Sequence, residues 1–175
     1  MNLYFRFLIT LLRTLLAKRG EVMAPARQRF RCMPWDCDIN LHMTNSRYLS
    51  FMDLGRTYLL GTSGLLGTLL KHKWGPVAQA VDMTFIREIG PFQQFELVTR
   101  LLCWDDKYWY IQQDFEADGK LCASAVLRGL FVQGRNKIPS SMVLGSLGYH
   151  EPSPPFPAHV EAWTVAFQLK KSSAQ

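Results

Sequence analysis

The chain has 175 residues, 48% of them hydrophobic and 13% aromatic, which is enough apolar material for one domain with a sizeable core and excludes a disordered protein. Its formal net charge of +6 is modest and lies mostly in residues 1–31, so any pull toward anions is local, and no nucleic-acid partner is expected. Cys32, Cys37, Cys103 and Cys122 lack paired CxxC spacing and read as reduced thiols of a cytoplasmic protein, with a disulfide left open; four scattered histidines add no metal-ligand spacing, so no metal is expected.

In chain order, residues 1–22 come first as an amphipathic helix. At roughly 100° per residue, Asn2, Arg6, Thr10, Arg13 and Arg19 share one side, and Leu3, Tyr4, Phe5, Phe7, Leu8, Leu11, Leu12 and Leu15 cover most of the rest. Its longest uncharged stretch, Phe7 to Leu12, is far short of the ~20 residues that span a bilayer, and Arg13, Lys18 and Arg19 fit poorly with a cleaved leader. Residues 1–19 therefore either make a peripheral membrane contact or pack on the body of the protein or on a partner subunit.

Ala26 to Met33 suits a first strand, and Asn45 or Ser46 is the expected N-cap of a helix carrying Tyr48, Leu49, Met52, Leu59 and Leu60 on one side. That helix should weaken near Gly61–Gly64, and a short one should follow over Leu65–Lys71. From Pro76 the pattern alternates: a run to Ile89, then Phe95–Trp104, Lys107–Ala117 and Leu121–Val132, with Asp118-Gly119 as a hairpin signal. The Pro-rich patch 150–157 reads as a linker to a closing helix over Ala158–Lys170. The expected organisation is thus a helix over 1–22, a central domain over 26–138 and a helical tail over 139–175, an α+β architecture.

The segment between strand and helix is the chemically dense one. Asp36, Asp38, Asn40, His42 and Asn45 fall within ten residues, flanked by Met33-Pro34-Trp35 and Tyr48-Leu49. Acid, amide and imidazole groups so close together need partners if buried, which marks an active-site loop more readily than a plain linker. Asp38, Asn40 and His42 each have a plainer reading as turn or structural groups. Asp36 is expected to support the loop, Asp53 to pair with Arg56 three residues on, and Tyr48 suits the core better than a ligand.

Together, Asp36-Cys-Asp38, Asn40, His42, Asn45 and Tyr48 resemble the active-site signature of acyl-CoA thioesterases of the 4-hydroxybenzoyl-CoA thioesterase type. Leu101 to Lys107 and the N-terminal apolar helix look nearest to thioesterase superfamily member six-like proteins. The resemblance runs from about Phe30 to Val132 and implies the hotdog fold, an antiparallel sheet wrapped around a long helix. It further implies Asp38 as nucleophile or general base, the N–H of Asn45 as oxyanion donor, and Asn40 and His42 as groups that hold water or thioester or orient Asp38. Tyr48, Met83, Phe85, Arg87 and Lys107 are the expected substrate contacts, and Leu59 and Leu60 join Met83 and Phe85 in the expected acyl-cleft wall. The substrate would be an acyl-CoA or acyl-carrier thioester with no other cofactor, and the assembly a homodimer or homotetramer.

Two features qualify this. The turn after the third strand reads Trp104-Asp-Asp-Lys107, whose acids would repel a nucleotide phosphate; either the nucleotide enters elsewhere, with Arg87, Lys107, Arg128 and Arg135 as candidate bases, or the acyl carrier is not CoA. The contrasting reading is a non-catalytic acyl-binding hotdog protein, while a dehydratase of the same fold would want a histidine and an acid on the helix.

Overall fold

The computed structural model describes residues 2–17 and 19–173. Helix α1 (Asn2–Leu16) leads to strand β1 (Ala26–Arg31), a single 3-10 turn (Pro34–Asp36), the long helix α2 (Asn45–Thr62) and the short α3 (Leu65–His72). Strands β2 (Gly75–Phe85), β3 (Gln94–Trp104), β4 (Trp109–Ala117), β5 (Lys120–Gln133) and β6 (Asn136–Ile138) follow, and α4 (Ser140–Gly145) and α5 (Ala158–Ser172) close the chain. The sheet is antiparallel in the order β1-β3-β4-β5-β2, with β6 beside β5. Asp118 and Gly119 turn β4 into β5 with φ of 52° and 70°, the left-handed pair that an Asp-Gly hairpin supplies. Register shifts at Ala78/Ala80, Leu101/Cys103 and Phe115/Glu116 bend the strands, and the sheet wraps around α2. This is the hotdog arrangement.

Two glycines let α2 sit so deep. A Cβ on Gly55 would come within 2.5 Å of the Thr99 hydroxyl and 2.8 Å of Leu97, and one on Gly61 would overlap Thr14 of α1. Beneath Gly55 the buried Gln113 amide donates to the Met52 carbonyl and to Thr99 Oγ1, both at 3.0 Å, and accepts from Arg56 at 2.9 Å. That polar layer lies between two apolar clusters. One gathers Tyr48, Phe51, Met52, Phe95 and Phe115 near the start of α2, and the other Leu59, Trp104, Trp109, Leu127 and Phe131 near its end. On the outer face, Cys103, Tyr110 and Val126 meet Val160 of α5.

The structure moves several expected boundaries. β1 stops at Arg31, because Cys32 pairs with Gln93 only as it leaves the sheet. The N-cap of α2 is Thr44, one residue earlier than expected, and β2 ends at Phe85 rather than Ile89. β6 and α4 carry no periodic signal over their three and six residues. The proline-rich segment is pinned down: Ser153 Oγ accepts the Trp104 N–H at 3.0 Å, and Phe156 packs edge-on against Tyr110. Among the described residues no helix is long and apolar enough to cross a membrane.

Candidate active site

The loop between β1 and α2 is built around Asp36. Its carboxylate is wholly buried, and a buried charge persists only when its oxygens are matched. Arg6 of α1 supplies a fork, Nη1 to Oδ1 at 3.0 Å and Nη2 to Oδ2 at 2.7 Å, and Arg47 in the first turn of α2 approaches at 3.4 Å. The Met33 N–H donates at 2.9 Å, closing the 3-10 turn. Asp36 therefore supports the loop, as expected, but through two arginines that no local spacing could pair with it.

Beyond Asp36 the chain doubles back on itself. Cys37 bridges Met43, the Asp38 N–H donates to the His42 carbonyl at 2.9 Å, and Leu41 takes φ of 61° to make the reversal. Asp38 Oδ1 accepts from the Asn40 N–H at 2.9 Å and from the His42 N–H at 3.3 Å, an Asx-type closure that fixes the carboxylate on an exposed rim. Asn40 and His42 are likewise exposed, and Ile39, 96% exposed, stands between Asp38 and Asn40 with no apolar cover. Thr44 and Met43 tie the far side of the loop to Asp36 and Ile89 through backbone hydrogen bonds of 2.9 Å.

Helix α2 begins at Asn45 with no side-chain cap; the Thr44 hydroxyl meets Ser46 Oγ at 3.2 Å instead. The free N–H groups and partial positive charge of that end open onto a groove of about 240 Å³. His42, Met43, Asn45 and Tyr48 form one wall, and Phe85, Ile86, Arg87 and Glu88 from the end of β2 form the other. Tyr48 is mostly core: it packs edge-on against Phe85 and Phe115, and burial pushes its phenol up to about 12. Arg87 donates to the Leu121 carbonyl at 2.7 Å and stays exposed beside the groove.

A second cavity, of about 200 Å³, lies further along α2. Leu59, Leu60, Val77, Trp109, Leu127 and Phe131 give it an apolar lining, with Asp53 and Arg56 at its edge. The expected Asp53–Arg56 ion pair is present, and burial lowers the pKa of the arginine despite that partner. The expected site residues are thus divided. His42 and Asn45, expected as catalytic, meet the expected substrate contacts Tyr48, Phe85 and Arg87 at the groove, whereas Asp38 and Asn40 lie on the exposed loop outside its lining; Leu59 and Leu60 line the second cavity, and half-buried Met83 packs on the core.

Lys107 is not brought to the groove. It lies in the β3–β4 turn, where Asp105 Oδ1 accepts the N–H groups of Lys107 and Tyr108 and so closes the backbone of that turn. Arg128 is buried with its guanidinium 3.8 Å over the Tyr108 ring, and Arg135 is exposed between β5 and β6. Arg6, Arg47, Ile86 and Glu88 are the residues at or beneath the site that the sequence did not single out. A positive charge near the loop was the one available signal, and it named no partner.

A family model described as the thioesterase-like superfamily matches residues 32–164. The chain belongs to that superfamily. Protein THEM6 of Xenopus laevis is 34% identical over 132 residues, 75% of this chain and 63% of that protein. A probable thioesterase of Saccharomyces cerevisiae is 30% identical over 109 residues, 60% of this chain and 47% of that one. The chain thus spans about half to just under two thirds of the length of these curated relatives. Among solved structures, the YbaW probable thioesterase of Escherichia coli superposes with a TM-score of 0.65 at 16% identity, over 69% of this chain and 94% of that one. A gentisyl-coenzyme A thioesterase gives 0.63 at 17% identity, over 69% and 99%. These likenesses share the hotdog fold with the superfamily member described here.

Proposed function

We propose that this chain is an acyl-CoA thioesterase of lipid metabolism, acting in the cytoplasm as a homodimer and needing no cofactor beyond the CoA thioester it cleaves. One observation carries the reading: the uncapped start of α2 opens onto a groove walled by His42 and Met43, which belong to the same exposed loop as Asp38. A thioester carbonyl seated with its oxygen on the Asn45 N–H would have its developing negative charge met by backbone dipoles that need no reorganisation. Asp38 then accepts a proton from water as the water oxygen bonds to the carbonyl carbon. Collapse of the tetrahedral intermediate breaks the C–S bond, and the departing thiolate takes up the proton. In the nucleophilic variant Asp38 attacks the carbon itself, forms a mixed anhydride and expels the thiolate, and water hydrolyses the anhydride.

His42 and Asn40 act as positioning groups in this scheme, holding water or the thioester at the rim. Arg87 is the base at the groove suited to a phosphate of the nucleotide, while the apolar cavity beside Asp53 and Arg56 suits an acyl chain. β2 supports the dimer. It is an edge strand of 11 residues, exposed along most of its length with Val77, Val81 and Phe85 uncovered, and its end forms one wall of the groove. Two β2 edges pairing would join the sheets and bring partner residues to each groove.

The alternative, an acyl-binding protein without turnover, is favoured by one detail, the engagement of Asp38 Oδ1 with two backbone N–H groups. The deciding experiment is thiol release from a panel of aliphatic and aromatic acyl-CoAs by the wild type and by Asp38→Asn. Turnover that falls by about 10²-fold or more in the folded variant supports catalysis by Asp38. Binding of acyl-CoA without hydrolysis of any member replaces the enzyme with the binding protein.

A further inference from the structure

Helix α1 is mounted inside out. Its polar residues face the protein: Arg6 forks onto Asp36, Thr10 is 1% exposed and receives the Gln28 amide at 3.5 Å, and Thr14 fits against Gly61. Its apolar residues face away, with Phe5 at 72% exposure, Leu15 at 72% and Leu16 at 86%, and Leu8, Ile9 and Leu12 about half exposed. A helix that only completed the fold would turn the other way, because burying leucines and wetting threonines is the favourable arrangement. A contiguous apolar face from Tyr4 to Leu16, about 18 Å long and uncovered among the described residues, marks an interaction surface.

The charge around that face selects its partner. Residues 1–31 hold seven basic residues and one glutamate, which accounts for the whole net charge of +6; the rest of the chain balances at thirteen and thirteen. The helix lies along β1, as Arg6 donates to the Arg31 carbonyl and Arg13 to the Arg29 carbonyl; Arg27 and Arg29 are taken by Glu96, which leaves exposed Arg13 and Arg31 beside the face with no carboxylate partner among the described residues. A second copy docked face to face would bring two such arginine rims together. A bilayer with anionic headgroups instead offers hydrocarbon to the leucines and negative charge to the rim. We propose that the outward face of α1, flanked by Arg13 and Arg31, docks this protein on an anionic lipid surface. The helix lies in the plane of the interface, and the Arg6–Asp36–Arg47 contacts join it to the loop that carries Asp38.

Co-sedimentation of the full chain with phosphatidylcholine vesicles, with and without phosphatidylserine, tests this apart from any activity. The wild type should sediment with the serine-containing vesicles at least about tenfold better than with phosphatidylcholine alone, and lose most of that advantage in high salt. Leu8→Glu/Leu12→Glu should abolish sedimentation while keeping the melting temperature, since both side chains already face water; Leu12→Gln alone is the milder check. Equal sedimentation of wild type and variant, or none with either vesicle, overturns the proposal. A vesicle-free wild type that assembles into a larger species than the variant overturns it too, in favour of a second copy as the occupant.

Discussion

The two edges of the sheet are finished in opposite ways. β1 is six residues long and carries Arg27, Arg29 and Arg31, with Arg27 and Arg29 paired to Glu96 on β3 and the carbonyls of Arg29 and Arg31 taken by α1. β2 is 11 residues long and leaves Val77, Val81 and Phe85 in the open. Charge, shortness and a covering helix are devices that stop a strand from recruiting another, and an uncovered apolar edge is an invitation to pair. The protected edge supports the Asp38 loop from behind, and the bare edge runs into the groove in front of it. The difference teaches that this fold covers one edge of its sheet with its own helix and charges and leaves open the edge beside the groove.

The largest expected effect comes from breaking the protected side. Asp36→Asn leaves Arg6 and Arg47 without their countercharge, and should destabilise the protein by about 3 kcal/mol in urea unfolding, because a half-removed buried pair keeps its desolvation penalty. A loss below about 1 kcal/mol would mean that packing, not charge, holds α1 and the loop. On the open side, Val81→Lys gives β2 the kind of charge β1 already carries. For the proposed β2-paired thioesterase dimer, the change should shift sedimentation toward monomer and lower acyl-CoA turnover, with the melting temperature nearly kept. A variant that stays dimeric would move the interface off this edge.

The smallest effect concerns the ion pairs of β1. Hydrogen bonds from Arg27, with its charge and that of Arg29, hold the Glu96 carboxyl below its usual range. A depressed acid adds stability that is present above its unfolded value, near 4.5, and is lost as pH falls through the lower folded value. Arg27 is half exposed, so the contribution should be under about 1 kcal/mol. Arg27→Ala should therefore flatten the acid limb of the stability curve slightly; an unchanged curve would leave these pairs with no share in protecting the edge.

How far the sequence could be read follows from the range of the interactions. Asp38, Asn40, His42 and Asn45 stood out because all four belong to one short loop and one helix start, where spacing alone places them near each other. The meander was legible from alternation and the Asp118-Gly119 turn, since period-two patterning and turn chemistry are local properties. β6 and α4 were missed because a three-residue strand and a six-residue helix have too little length for any period to show. Arg6 was missed because its partner is thirty residues away, and nothing in the spacing of α1 distinguishes a buried fork from a surface charge.

The sequence by itself determined the fold type, the chemical loop and the amphipathic character of residues 1–22, of which the helix takes Asn2–Leu16, all set by patterns within a few residues. Only the tertiary structure decided which way that helix faces, since its two sides compete for contacts with Gly61, Gln28 and Asp36 that exist only once the chain has closed. It also separated Lys107 from the groove and enclosed Arg128 beneath aromatic rings. Strand pairing places residues by register, and register joins positions far apart in the chain.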